Sequence, residues 1–293
     1  MLNIYQKTLS KKASFKGIGL HSGKIAEISL IPSAEDTGIT FKRTDIKDNN
    51  LIKANFQNVS STNLCTVIKN QHGVSISTVE HLVAALYFTG VDNLEIQINN
   101  SEIPIMDGSA KDFVKIINKA GVKNQTKKRK YLKISKEVKI HNKNKFINLT
   151  PQDQRLKVNY ELDYENKIIS NQKNIVDLSS DNLEDIYSSR TFCLYKDIQK
   201  IKEAGLAKGG SLNNAIVVDD NKIINEGGLR NEKEFVNHKI LDCIGDLYTC
   251  GYRMIASIKC SQGGHYYTNQ LMRKIFRNKH NFSIIEIQER NLP

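Results

Sequence analysis

The stretch Phe235-Val-Asn-His238-Lys239-Ile-Leu-Asp242-Cys-Ile-Gly-Asp246-Leu-Tyr reads as one helix with two unlike sides. Wound at about 100° per residue, Ile240, Ile244 and Leu247 gather on one side, with Val236 and Cys243 at its flanks. His238, Asp242 and Asp246 run down the opposite side, one turn apart. Cβ atoms at i and i+4 stand about 5–6 Å apart. Two such side chains can therefore reach one metal ion through bonds of about 2 Å. The same stripe also fits a solvated polar face with an incidental His–Asp pair, and this segment alone does not choose.

A second candidate is Ser77-Thr-Val-Glu80-His81-Leu, where His81 falls in the first turn of a helix and Glu80 precedes it. Ser77-x-x-Glu80 equally spells a capping box, in which Glu80 bonds back to the Ser77 N–H. With His238 and Asp242, His81 would complete three protein ligands and leave a fourth position open, the arrangement of catalytic zinc. HExxH is absent, so this is not a common metalloprotease signature. Gly263-Gly-His265 lies between a strand and the last helix. Glycines there let a backbone approach a site closely, although a solvated turn histidine has the same signature. Ser189-Arg-Thr191-Phe192-Cys193 offers a hydroxyl and an aromatic face. Lys208-Gly-Gly-Ser211 is not a P-loop, and no Gly-rich fingerprint opens a βαβ unit, which argues against a nucleotide cofactor.

The elements that must position these residues read as follows. Residues 1–56 are β-rich, with alternation in Ala26-Glu-Ile-Ser-Leu-Ile and Gly38-Ile-Thr-Phe-Lys. A helix is predicted at 78–87, a strand at 94–98, and a helix at 109–119 ended by Ala120-Gly121. The polar run Lys123-Asn-Gln-Thr-Lys-Lys-Arg-Lys130 predicts a linker. It is placed at 127–130, between α+β domains at 1–126 and 131–293. Strands resume at 131–134, 138–141, 146–149 and 156–162. A short amphipathic helix at 196–204, a hairpin near 215–224, the His238 helix, a strand at 254–259 and a helix at 267–277 follow. Both halves run strands, helix, strand, helix, which predicts two similar α+β units, each a sheet with packed helices.

Composition bounds the partners. Of 293 residues 39% are hydrophobic and 25% charged, ordinary for a folded domain. A net charge of +12 suits nucleic acid, a membrane surface or an anionic substrate. The lysines are scattered, however. Lys127-Lys-Arg-Lys130 is the one dense run, without the aromatic-plus-basic blocks of RNA-binding modules. A non-catalytic binder of nucleic acid or anionic surfaces is therefore the rival class. Five cysteines (Cys65, Cys193, Cys243, Cys250, Cys260) form no CxxC pair, which points to reduced thiols and the cytoplasm. The N-terminus lacks a signal-peptide core, and the apolar run Leu82 to Phe88 is too short to span a bilayer. Any membrane contact is expected to be peripheral.

Taken together, these segments resemble the zinc-dependent UDP-3-O-acyl-N-acetylglucosamine deacetylases of lipid A synthesis in Gram-negative bacteria. The resemblance runs through Gly17-Ile-Gly-Leu-His-Ser-Gly23, Ser77-Thr-Val-Glu-His-Leu82, Glu102-Ile-Pro-Ile-Met-Asp-Gly-Ser109 and Ser189-Arg-Thr-Phe192. It continues in Gly209-Gly-Ser211, Ala215-Ile-Val-Val-Asp-Asp220, the His238 helix and Gly264-His265. It implies a layered sandwich with helices inside, sheets outside and the active site between domains. It implies one Zn²⁺ per chain on His81, His238 and Asp242, with Fe²⁺ the alternative metal. It makes Glu80 the general base, His265 the acid partner oriented by Asp246, and Thr191 an oxyanion donor. Lys239, Phe192, His21 and Gly210 would line the site of a UDP-linked acylated amino sugar. An insert near 193–210 would form an acyl passage, to which Leu194, Ile198 and Ile201 are suited. Cys193 stands where glycine is more usual in the family, which would narrow that passage. The resemblance implies a cytoplasmic monomer that binds no nucleic acid. A zinc amidohydrolase acting on another N-acetyl sugar is the rival among enzymes.

Overall fold

Alternating burial along the early strands builds the first of two main sheets. In Ile25–Pro32, Ala26, Ile28 and Leu30 are buried while Ile25 and Glu27 are exposed, the period-2 pattern of a half-buried strand. The computed structural model describes residues 3–153 and 155–288, and all structural statements concern these. The first sheet runs Ala13–Ile18, Ile25–Pro32, Leu94–Ile98, Ile39–Arg43, Leu51–Lys53. Ile39–Arg43 pairs parallel with Leu94–Ile98. The connection between these two strands carries α1 (Glu80–Thr89). Residues 80–87 are all buried, as expected of a helix that is apolar nearly all round. Next comes α2 (Lys111–Ala120), ended by Gly121. The sequence places both helices within two residues of these starts.

The second sheet has seven strands around Arg253–Ser261. That strand pairs parallel with Lys130–Ile134 and Leu156–Asp163 and antiparallel with Lys145–Thr150. Between the later strands lie α3 (Glu184–Tyr187), α4 (Ile198–Glu203), α5 (Glu234–Tyr248) and α6 (His265–Phe276). Helix α5 packs on α1, on α6 and on the strands Leu156–Asp163 and Asn171–Asp177. One apolar cluster runs from Ala26, Ile28 and Ile96 of the first sheet, through Leu82 of α1 and Ile240 of α5, to Val158 and Ile258 of the second. The protein is thus a mixed α+β sheet-and-helix sandwich. None of its helices, among the described residues, is long and apolar enough to cross a membrane.

Two expectations need correction. The basic run read as a linker is paired strand: Val122–Lys128 lies antiparallel to Tyr5–Leu9, Arg129 is buried, and Lys130–Ile134 follows. Its exposed lysines imitate a loop because charged side chains are common on outlying strands, and its partner lies more than a hundred residues away. The capping box is also absent. Helix α1 begins at Glu80, after Thr78 in the left-handed region at φ 60°. Glu80 therefore occupies the first helical position rather than the third. Ser77 Oγ donates to Ser101 O instead, and Val79 makes no side-chain cap.

Candidate active site

The polar stripe of α5 does not face water. His238, Asp242 and Asp246 are all at least nine-tenths buried, because α1 packs along it. The two backbones come close at Gly245, where a Cβ would stand 2.1 Å from Glu80 O. A glycine inside a helix costs about 0.5–1 kcal/mol against alanine, and here its bare Cα is what admits the neighbouring backbone. That contact puts the first turn of α1, with Glu80 and His81, beside the middle of α5.

Three ligand atoms converge there, within 4.8 Å of one another on His81, His238 and Asp242. Nε2 of His81 and Nε2 of His238 stand 3.3 and 3.4 Å from Asp242 Oδ1. That oxygen is buried and has no hydrogen-bond partner. The other oxygen, Oδ2, accepts from Lys239 Nζ at 2.9 Å. His238 Nδ1–H donates to Ser189 O at 3.1 Å, which leaves the Nε2 lone pair aimed at Asp242. Burial drives the His238 pKa down to about 3, so the ring is neutral. Burial opposes the Asp242 charge, but the Lys239 ammonium beside it holds the carboxyl well below its usual range. Two imidazoles and a carboxylate with one uncommitted oxygen suit a divalent metal.

Beside them stands a second group of ionisable side chains, Glu80, His265 and Asp246. Glu80 is buried, and its Oε2 accepts from Thr66 N at 3.0 Å. Burial raises its pKa, against the pull of His265 and His81. His265, the first residue of α6, brings Nε2 to 3.9 Å from Glu80 Oε1. Its Nδ1–H donates to Asp246 Oδ2 at 2.7 Å. Burial disfavours its charge, but Asp246 prevails and raises the pKa to about 10. Thr66 Oγ donates to Asp246 Oδ1 at 2.6 Å, so one threonine braces both Glu80 and Asp246. Thr66 escapes sequence reasoning, since nothing in Leu64-Cys-Thr-Val marks it. Ser189 lies in a segment the sequence marks for its hydroxyl and aromatic side chains, but nothing there announces that its carbonyl orients His238. Gly245 carries a readable signal, a glycine in mid-helix.

The remaining expected residues lie toward one side. The Phe192 ring meets His238 edge-on at 6.3 Å, and Lys239 Nζ sits 5.4 Å from its centroid. Thr191, Phe192, His21 and Gly210 line a cavity of about 250 Å³, walled by apolar side chains that include Ile198 and Ile201. Leu194 does not line it but packs on the core. Cys193 does line it. Both ring nitrogens of His21 are buried without a hydrogen-bond partner. Its backbone N–H donates to Glu102 Oε1 at 2.8 Å, and Thr78 Oγ donates to the same oxygen at 3.1 Å. The His21 turn is thereby tied to the start of α1.

The geometry agrees with what comparison finds. The family model for LpxC, UDP-3-O-acyl N-acetylglycosamine deacetylase, matches residues 6–277. A UDP-3-O-acyl-N-acetylglucosamine deacetylase of Actinobacillus pleuropneumoniae serotype 3 (strain JL03) is 39% identical over 290 residues, covering 98% of this chain and 95% of its own length. The protein of the same name from Histophilus somni (strain 129Pt) shows the same identity and coverage. That of Geobacter sp. (strain M21) is 40% identical over 284 residues, with 97% and 92% covered. With a match this close to end to end, the chain belongs to the LpxC family of UDP-3-O-acyl N-acetylglycosamine deacetylases.

Proposed function

We propose that this chain hydrolyses the N-acetyl group of UDP-3-O-acyl-N-acetylglucosamine, giving UDP-3-O-acyl-glucosamine and acetate, the committed step of lipid A biosynthesis. The observation that carries the reading is the meeting of the His81–His238–Asp242 cluster with the Glu80–His265–Asp246 set on one buried wall. His81, His238 and Asp242 would hold one zinc ion, with ferrous iron the alternative. A metal bound there supplies Lewis-acid polarisation of the acetamide carbonyl and lowers the pKa of water.

The side chains do the rest. Glu80, its basicity raised by burial, takes the proton from the attacking water. His265, kept charged by Asp246, protonates the leaving amine. The Thr191 hydroxyl donates to the oxyanion, a role typically worth about 2.7–4 kcal/mol. Lys239 presents a cation at the rim for the diphosphate, and the His21 ring nitrogens meet polar groups of the sugar nucleotide. The apolar cavity beyond Phe192 takes the acyl chain, with the Cys193 side chain narrowing it. The reaction belongs to the cytoplasm, in a monomer that touches the membrane peripherally at most.

The test is acetate release from UDP-3-O-acyl-N-acetylglucosamine by purified protein, with metal analysis and a panel lacking the nucleotide or acyl group. About one zinc per chain is expected, with activity lost on chelation and restored by zinc. Glu80→Gln should retain metal and lose at least about 10²-fold in turnover. Full activity without metal, or Glu80→Gln within a few-fold of wild type, refutes the mechanism. Equal turnover of a simple N-acetyl sugar refutes the substrate.

A further inference from the structure

The C-terminal end of α1, opposite the end that carries Glu80 and His81, closes a second cavity, of about 260 Å³. Lys7, Arg129 and Arg253 line it, and among the described residues none of its lining is acidic. Part of this charge is structural. Arg129 Nη2 donates to Gly90 O at 2.8 Å, and Arg253 Nη2 donates to Tyr87 O. Cations belong at such carbonyls, where the helix dipole is negative. Arg129 also grips Asp92 through Nε and Nη2.

These contacts leave donors over. Arg129 Nη1 and Arg253 Nε are buried without a hydrogen-bond partner, and the Arg129 side chain is only 2% exposed. Lys7 Nζ makes no ion pair or hydrogen bond among the described residues. Among the described residues, Asp92 is the one carboxylate set against the three cations. The Lys7 ammonium is pushed below its usual range by burial, then by Arg129 and Arg253, as a surplus of like charge requires. Native proteins rarely leave buried guanidinium donors unmatched.

We infer that this cavity binds a phosphate-type oxyanion. Donors from three side chains suit a ligand with several acceptor oxygens, and a charge near −2 matches the surplus. Phe88, Leu156 and Met254 form apolar walls, which admit an organic substituent on that phosphate. A free phosphate compound and a lipid headgroup share this chemistry. The site lies about 13 Å from the catalytic end of α1, at 1.5 Å rise per residue, so it is separate from the deacetylase centre.

The test is calorimetric and thermal titration of the full chain with inorganic phosphate, at ionic strength matched with chloride. Wild type should show saturable binding and a melting temperature that rises with phosphate but not with chloride. Lys7→Gln should weaken binding at least tenfold while melting like wild type in chloride, since Lys7 makes no side-chain bond to lose. Arg253→Lys, which keeps charge but removes Nε, should weaken it likewise. Retention on phosphatidylglycerol but not phosphatidylcholine vesicles, lost in Lys7→Gln, identifies a lipid headgroup. Phosphate binding without vesicle retention identifies a free phosphate compound. No saturable response beyond chloride overturns the inference. So does equal phosphate affinity in Lys7→Gln, which would move the binding to the catalytic cleft.

Discussion

The substitution Gly245→Ala tests whether the meeting of two backbones sets the site. In an ordinary helix this change stabilises by about 0.5–1 kcal/mol. Here the added Cβ would stand 2.1 Å from Glu80 O and 2.9 Å from Glu80 C. The carbonyl must retreat by about 0.9 Å to reach the 3.0 Å below which real Cβ contacts essentially do not occur. Both partners are helix backbone, so the retreat is a shift of α1 against α5. That shift carries Glu80 and His81 away from His238, Asp242 and Asp246. Metal–ligand distances tolerate only about ±0.2 Å, and a misplacement of about 1 Å in a catalytic array costs on the order of 10²-fold. We therefore expect kcat/KM to fall about 10²-fold with reduced content of bound metal. Overpacking should also cost about 1–3 kcal/mol of stability. Steady-state acetate release, metal analysis and denaturant unfolding measure the three effects. Unfolding at or above the wild-type midpoint, with undiminished bound metal and kcat/KM within threefold, would refute the reasoning.

Other perturbations probe the supports. Thr66→Val removes the 2.6 Å bond to Asp246 Oδ1, a charge-assisted bond of about 1.5–3 kcal/mol; kcat should drop about tenfold or more with little change in KM, and Thr66→Ser should restore it, whereas wild-type kcat in the valine variant excludes the brace. Glu234 is fully buried and accepts from Arg190 N, Nε and Nη2 and from Arg230 N. Glu234→Ala strands the Arg190 charge and should cost about 3–5 kcal/mol in denaturant unfolding, so a loss under about 1 kcal/mol contradicts the pairing. Burial opposes the Asp107 charge, yet Ser109 and Arg230 hold its carboxyl below the usual range. Its folded pKa is depressed, so its stabilisation is complete at neutral pH and is lost as pH falls through and below the ordinary carboxylate range. The stability difference between wild type and Asp107→Asn should narrow there, and a difference constant down to about pH 3 would rule Asp107 out of the acid limb.

How far the site was legible depends on where each constraint lives. The spacing of His238, Asp242 and Asp246 is local, so periodicity alone shows the stripe, and α5 forms where the stripe predicts it. Whether that stripe meets water or a metal is not local. It turns on α1, about 160 residues earlier in the chain, packing against α5 with its first turn over Gly245. The linker misreading has the same cause: Val122–Lys128 has no internal period to announce it, and its strand character comes from Tyr5–Leu9. Ser77-x-x-Glu80 failed in the opposite direction. A local motif was present, but the left-handed turn at Thr78, tied to Glu102 and through it to the His21 turn, moved the helix start past it. That displacement frees the Glu80 carboxylate from capping and turns it toward Thr66 and His265. Of order 1–3 kcal/mol is the usual cost of such a backbone outlier, and here its consequence is a buried carboxylate facing His265 and the His81–His238–Asp242 cluster rather than its own helix.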